Sequence, residues 1–386
     1  MPDLVAIFGT GRNGSTLLAR LLDGIPGSYL HPVEANFLSA MNDLAWLPVV
    51  RRRTRQNVVT APLKRLDGAL PIRRLLRYYD SHFREIERDY LPQIGVNPRG
   101  PAPAAALMQQ ARWRAADFVP AFLAATARWI DGSEPQYAIF KTIETPYIAD
   151  YERLFPTMRF IHILRHPVDV WASSKRSWVE NKGLPPWYQR PDNLITTIES
   201  RWMAHASAVA VRPGDARHFV LRYEDLVRRP GATIAQICTW LGVASPAEPE
   251  MQTLLGGHHP REMQFNPSQR GVETPRRAVA DLHERNSFVP VMAPRERDLI
   301  LLRTQNLRRS LGYPFEPIPP AAAIRRSWRR IDEWDFRNVR GLSSWVRGLL
   351  GFALRRRYVR RVCREATQAH EPTPNSMIPN RGSSPS

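Results

Sequence analysis

Short apolar runs alternate along the chain with segments whose apolar residues recur every three to four positions. The first run, Leu4-Val5-Ala6-Ile7-Phe8, predicts a buried strand. It leads into Gly9-Thr10-Gly11-Arg12-Asn13-Gly14-Ser15-Thr16, a glycine-rich loop. Leu17, Leu18, Leu21 and Leu22 then keep helical spacing, and Gly24 and Pro26 stop that helix. Further strands are expected at 137–140, 160–164 and 219–221. Helices are expected over 147–155, from about Val168, and over 234–241, where Gly242 closes the last one. Strands that alternate with helices predict an α/β fold of three layers, a central parallel sheet covered on both faces.

Two stretches depart from this alternation. Residues 36–135 hold no clear strand; Leu75, Leu76, Tyr79, Phe83 and Ile86 keep helical spacing, and Pro98, Pro101 and Pro103 interrupt the pattern. This reads as a helical insertion of about 36–135 within a main domain of 1–315. Its aromatics, among them Trp46, Tyr78, Tyr79, Phe83, Trp113 and Trp129, suit an acceptor pocket or ordinary helix packing equally well. The proline-rich 314–320 then reads as a linker to an Arg-rich helical extension, 316–370, and 371–386 as a disordered tail.

Composition changes the picture in three ways. The chain carries a net charge of +19, which favours anionic partners. Of its 55 basic residues only Lys64, Lys141, Lys175 and Lys182 are lysines, so each lysine merits attention. Cys238 and Cys363 have neither metal nor redox spacing, and His258-His259 read as loop residues, so no metal site is expected. No run approaches the ~20 apolar residues of a membrane span, and a strand pattern in place of a leader makes the cytoplasm the expected location. No nucleic-acid module is recognisable, so nucleic acid is not an expected partner.

The glycine loop has the spacing of a phosphate loop, Gly9 to Gly14, but Ser15 stands where a nucleoside-triphosphate enzyme needs Lys. It can still cradle an anion at the start of a helix, with positive charge supplied from inside the loop by Arg12. A second constellation, Phe160-Ile161-His162-Ile163-Leu164-Arg165-His166-Pro167, ends a strand in Arg165, and Ser173 follows in the next helix. Ligands bind at strand ends in open parallel sheets. An Arg and a hydroxyl placed there can hold a second phosphate.

These residues resemble the sulfotransferases. Gly11-Arg12-Asn13-Gly14-Ser15-Thr16-Leu17-Leu18 is similar to the family's 5′-phosphosulfate loop, with Asn13 where Ser is usual. The segment from Phe160 to Ser174 is similar to its 3′-phosphate motif. Phe140-Lys141-Thr142 with Pro146, and Leu221-Arg222-Tyr223-Glu224-Asp225-Leu226, are weaker matches in the family's order. The nearest likeness is to the bacterial and carbohydrate/tyrosylprotein branch. The resemblance implies a P-loop-like fold and 3′-phosphoadenosine 5′-phosphosulfate as donor, with no metal. It implies that Asn13, Gly14, Ser15 and Thr16 hold the 5′-phosphate, that Arg165 and Ser173 hold the 3′-phosphate, and that Tyr223 contacts the nucleotide. It implies Arg12 at the phosphate–sulfate bridge, Lys141 at the leaving group and Glu34 as the base, with His31 as the rival base.

The expected reaction moves a sulfuryl group to a hydroxyl or amine of a small-molecule, glycan or lipid acceptor. The alternatives are a P-loop nucleotide kinase or NTPase, against which Ser15 counts, and a non-catalytic anion- or membrane-binding protein on the same fold. Val339, Leu342, Val346, Leu349 and Ala353 fall on one helical face with arginines elsewhere. Residues 339–364 could therefore touch an anionic membrane at its inner surface, or dock on their own domain.

Overall fold

The computed structural model describes residues 1–23, 25–39, 41, 69–87, 91, 102–180, 193–245, 292–329 and 342–368. They fall into two compact units, one holding the sheet and a second that comprises residues 193–195 and those from Met292 onward. The first unit is a five-stranded parallel sheet. Its strands are β1 (Asp3–Phe8), β2 (Ser28–Leu30), β5 (Tyr137–Thr142), β6 (Arg159–Leu164) and β7 (His218–Arg222), in the spatial order β2-β5-β1-β6-β7.

Strand β1 shows why the apolar run folds here. Its odd and even positions serve different layers. Leu4, Ala6 and Phe8 pack with Phe140, Tyr151 and Phe160 on one face. Val5 and Ile7 pack with Leu18, Leu22, Ile161, Ile163 and Leu221 on the other. A strand covered on both faces needs apolar residues at every position, which is the continuous run seen in sequence. Helix α1 (Ser15–Leu22) carries the second layer.

The insertion contributes helices α2 (Ile72–Glu85), α3 (Pro103–Leu107) and α4 (Ala115–Asp131) to the first layer. It also contains strands where none was expected: β3 (Leu70–Pro71) and β4 (Arg112–Trp113) pair antiparallel. Two residues per strand leave no periodicity to read. Its aromatic residues are core. Phe37, Tyr79, Phe118 and Phe122 are fully buried and pack ring against ring at 4.7 to 5.8 Å. Phe83 and Trp129 join them. Trp46, and the side chain of Tyr78, lie outside the described residues.

The second layer is completed by α8 (Tyr223–Arg228) and α9 (Pro230–Leu241), the latter ending in a left-handed Gly242 as expected. Between β5 and β6 lies α5 (Ile148–Leu154). After β6 come α6 (Pro167–Glu180), a π-helix (Thr196–Met203) and α7 (Ala204–Ala210). The second unit packs α10 (Pro294–Ser310), α11 (Ala321–Ser327) and α12 (Leu342–Gln368). Phe352, Tyr358, Val359, Val362 and Cys363 of α12 are buried. That stretch of the basic helix therefore docks on its own unit. Among the described residues no helix is long and apolar enough to cross a membrane. His258-His259 and the tail from Glu371 lie outside the described residues.

Candidate active site

The strand order sets the position of the site. From β1 the chain moves to one side of the sheet, returns through β5 to the position beside β1, and continues on the other side through β6 and β7. Such a reversal opens a crevice at the carboxyl ends of the strands. The glycine loop leaves β1 there, Lys141-Thr142 end the adjacent β5, and Arg165 leaves the adjacent β6.

The loop is wound tightly. Gly11 and Gly14 have φ of 73° and 93°, and Arg12 has φ of 60°. Arg12 is the one non-glycine residue with positive φ among those described. A bulky residue there costs on the order of 1–3 kcal/mol, and such strain collects at functional sites. Asn13 is fully buried. Its amide donates to the Ile163 carbonyl at 2.6 Å and its Oδ1 accepts from the Ser15 amide at 3.3 Å. A Cβ on Gly9 would strike this side chain at 2.0 Å, so Gly9 makes room for it. Asn13 thus ties the loop to β6 with its side chain, and only its backbone is left for a ligand. The α1 N-cap, Gly14, makes no side-chain cap bond. First-turn amides lack intrahelical acceptors, so such a terminus suits an anion.

The two anion motifs meet. Arg12 Nε donates to Ser173 Oγ at 3.2 Å, across 161 residues of sequence. Arg165, 4% exposed, donates from its guanidinium to the Arg12 carbonyl at 3.2 Å. The Arg165 guanidinium also lies 4.4 Å from the centre of the Tyr223 ring. That ring in turn fills the space of the missing Gly14 side chain, where a Cβ would come within 2.2 Å of it. Tyr223 is 2% exposed, so it acts as a wedge between the loop and Arg165.

Sequence reading missed two residues that fix the turn at Arg165 and His166. Trp202, in the π-helix, donates its indole N–H to the Arg165 carbonyl at 2.8 Å. Glu224 accepts from the His166 amide at 2.8 Å, and burial raises its pKa. Asp225, its neighbour, instead pairs with Arg222 at 2.7 Å. A π-turn is a frequent mark of a functional segment, yet nothing in local sequence pattern reports one.

Lys141 and Glu34 complete the crevice from the other side. Lys141 Nζ donates to Thr16 Oγ1 at 3.0 Å, which brings the lysine to the start of α1. Residues 31–35 run on beside β5: the His31 amide donates to the Ile139 carbonyl at 2.7 Å and the Ala35 amide to the Lys141 carbonyl at 2.9 Å. Glu34, half-buried, is thereby delivered level with Lys141. Its Oε1 accepts from Asn36 Nδ2 at 3.2 Å, while Asn36 Oδ1 accepts from Thr142 Oγ1 at 3.0 Å and the Ile143 amide at 3.3 Å. Glu144, fully buried and raised in pKa by that burial, accepts from the Leu38 and Ser39 amides and the Tyr151 hydroxyl. It pins the segment that follows Glu34. His31 goes elsewhere. It is 1% exposed, 3.2 Å from the Tyr29 hydroxyl, with its ring against Phe122.

Cationic side chains and hydroxyls thus gather over a glycine loop at the switch point of a parallel α/β sheet. The chain belongs to the sulfotransferase family, whose model matches residues 2–247, and it is a transferase of that family. No curated protein matches it. Among solved structures it is similar to the sulfotransferase domain of the Synechococcus PCC 7002 olefin synthase, with 19% identity over 82% of this chain and 96% of that one, and a TM-score of 0.50. It is also similar to the sulfotransferase domain from the curacin biosynthetic pathway (17% identity, 82% and 99% covered, TM-score 0.43). A third match is mouse sulfotransferase SULT7A1 complexed with PAP (14% identity, 81% and 89% covered, TM-score 0.37). The first of these supports the α/β fold itself.

Proposed function

We propose that the chain moves a sulfuryl group from 3′-phosphoadenosine 5′-phosphosulfate to a hydroxyl of a small-molecule, glycan or lipid acceptor. The observation that carries this reading is the meeting of Arg12, Arg165 and Ser173 beside the glycine loop. A donor with phosphate at both the 5′ and 3′ positions needs two anion sites, and the crevice offers two. The donor set fits. The loop and first-turn amides from Asn13 to Thr16, with the Ser15 and Thr16 hydroxyls, would hold the 5′-phosphate. Arg165 and Ser173 would hold the 3′-phosphate by charge-assisted hydrogen bonds. The bound donor supplies an activated sulfuryl group for in-line displacement.

The chain's residues position the reactants and balance charge, which is most of what such a transfer demands. Lys141, a compact cation beside Thr16, stabilises the leaving oxygen. Arg12 links the two phosphate subsites and neutralises charge on the bridge between the 5′-phosphate and the sulfate. Glu34 takes the acceptor proton. Its half-buried setting and its bond from Asn36 support that role, whereas His31 is enclosed by aromatic rings. Sulfur-labelled donor offered with a panel of sugar, phenol and lipid hydroxyls tests the reading. Labelled acceptor is expected. Phosphorylated acceptor formed from ATP, with no sulfated product, would overturn it.

A further inference from the structure

Among the described residues of the second unit the carboxylates are few and engaged. Glu316 pairs with Arg297 at 2.8 Å and Arg308 at 3.2 Å. Glu365 pairs with Arg303 at 3.0 Å and Arg361 at 3.7 Å. Glu296 accepts from the Ala293 amide at the start of α10.

A cleft of about 330 Å³ lies between the end of α11 and the middle of α12, lined by Arg325, Trp328, Arg329, Arg356, Val359 and Arg360. Arg356 and Arg360 are one helical turn apart on α12 and share a face, while Arg325 lies in the last turn of α11 and Arg329 just beyond its end. The four guanidiniums make no ion pair with any carboxylate among the described residues. Arg325, Arg329 and Arg360 are exposed and Arg356 is half-buried.

The floor is apolar and fixed. Val359 and Trp328 are each 1% exposed. The Trp328 indole donates to the Arg295 carbonyl at 3.3 Å, and the Arg295 guanidinium stacks 4.6 Å from its ring. Four like charges around one small cleft repel one another unless an anion joins them. Guanidinium forks match the oxygens of phosphate in pairs. The volume is at the lower end of small-ligand pockets, roughly 300–1,000 Å³.

We propose that this cleft is a second anion site, separate from the donor site, that binds the phosphate group of a phosphorylated ligand. The phosphate belongs either to a soluble molecule or to a lipid headgroup. The proposal does not depend on the sulfuryl-transfer reading.

The test uses the full chain in an Arg165→Ala background, which removes the donor site's principal cation. One arm titrates inorganic pyrophosphate by calorimetry. The other sediments the protein with phosphatidylcholine vesicles with and without phosphatidic acid. Binding of pyrophosphate alone assigns a soluble ligand, and phosphatidic acid-dependent sedimentation assigns a lipid. In either case Arg356→Gln/Arg360→Gln should weaken binding at least about tenfold, the scale of one lost charge-assisted pair. Arg325→Gln/Arg329→Gln, at the end of α11, repeats the test independently, and the thermal midpoint shows whether each variant is folded. Absence of binding in both arms, or binding unchanged in both folded double variants, overturns the proposal.

Discussion

Glu34 and Asn36 form a small lever at the crevice. Glu34→Gln keeps the bulk of the side chain and removes its capacity to take a proton. Turnover should fall at least about a hundredfold, the usual worth of a positioned base, while calorimetry finds nucleotide affinity unchanged. Retained turnover would remove Glu34 from the reaction. Asn36→Ala should lower kcat with little change in KM, because Asn36 orients Glu34 and is itself held by Thr142 and Ile143. Gly14→Ala acts differently. It puts a Cβ within 2.2 Å of the Tyr223 ring at a φ of 93°. Donor affinity should collapse as the loop and the wedge move apart, and the thermal midpoint should fall with it, since strain of this kind costs on the order of 1–3 kcal/mol.

At the scale of elements, β6, β7 and α7 share a buried histidine chain. His205 Nε2 lies 3.2 Å from His162 Nδ1, His162 Nε2 lies 2.8 Å from His218 Nδ1, and His218 Nε2 lies 3.0 Å from Glu152 Oε1. Neutral rings protonated on Nε2 at His205 and His162 satisfy the two ring-to-ring bonds in one direction. A proton added at Nδ1 of His162 or His218 sets two donors face to face. Burial pushes the pKa of His205 down to about 3, and burial also lowers His162 and His218. Below the ordinary histidine value of 6.5 the unfolded chain gains protons that the folded one refuses. Stability is therefore complete above that value and is lost as pH falls from 6.5 toward 3, by up to about 1.4 kcal/mol per pH unit per histidine. Denaturant midpoints across this range should show the decline, and His205→Leu should flatten it. A midpoint independent of pH would refute the assignment of neutral rings. Arg212, Asp215 and Glu152 flank His218, and the two carboxylates, held below their ordinary values, push stability in the same direction.

The elements that could be read from sequence are those whose pattern comes from burial. The runs of β1, β5 and β6 are apolar because both faces are covered, and the loop and Arg165 stand out because they end those runs. β2 escaped notice because three residues, Ser28–Leu30, leave no period to detect. The side chains of Asn13 and Tyr223 also serve as a strut and a wedge, which local sequence pattern does not report. Those roles depend on contacts 150 residues away for Asn13, and on the close approach of a ring to Gly14 for Tyr223. Trp202 and Glu144 carry no local signal. Each matters only because the fold brings it to a carbonyl or an amide of the site.

For the molecule as a whole, the excess charge and the second unit make distinct predictions. Trp328 is buried in the core of α10, α11 and α12, and Trp328→Ala should cost about 3–5 kcal/mol of that unit's stability, read by denaturant unfolding. With a net charge of +19, donor affinity should weaken as salt screens the approach of an anion. The proposed function rests on two phosphate subsites that meet between the glycine loop and the end of β6. Calorimetric titration of the full chain with adenosine 3′,5′-bisphosphate, beside ADP and ATP without added metal, tests it. One tight site for the bisphosphate, weak or no binding of the other two, and loss of the site in Arg165→Ala are expected. Equal or tighter binding of ATP, or bisphosphate binding unchanged in Arg165→Ala, would contradict it.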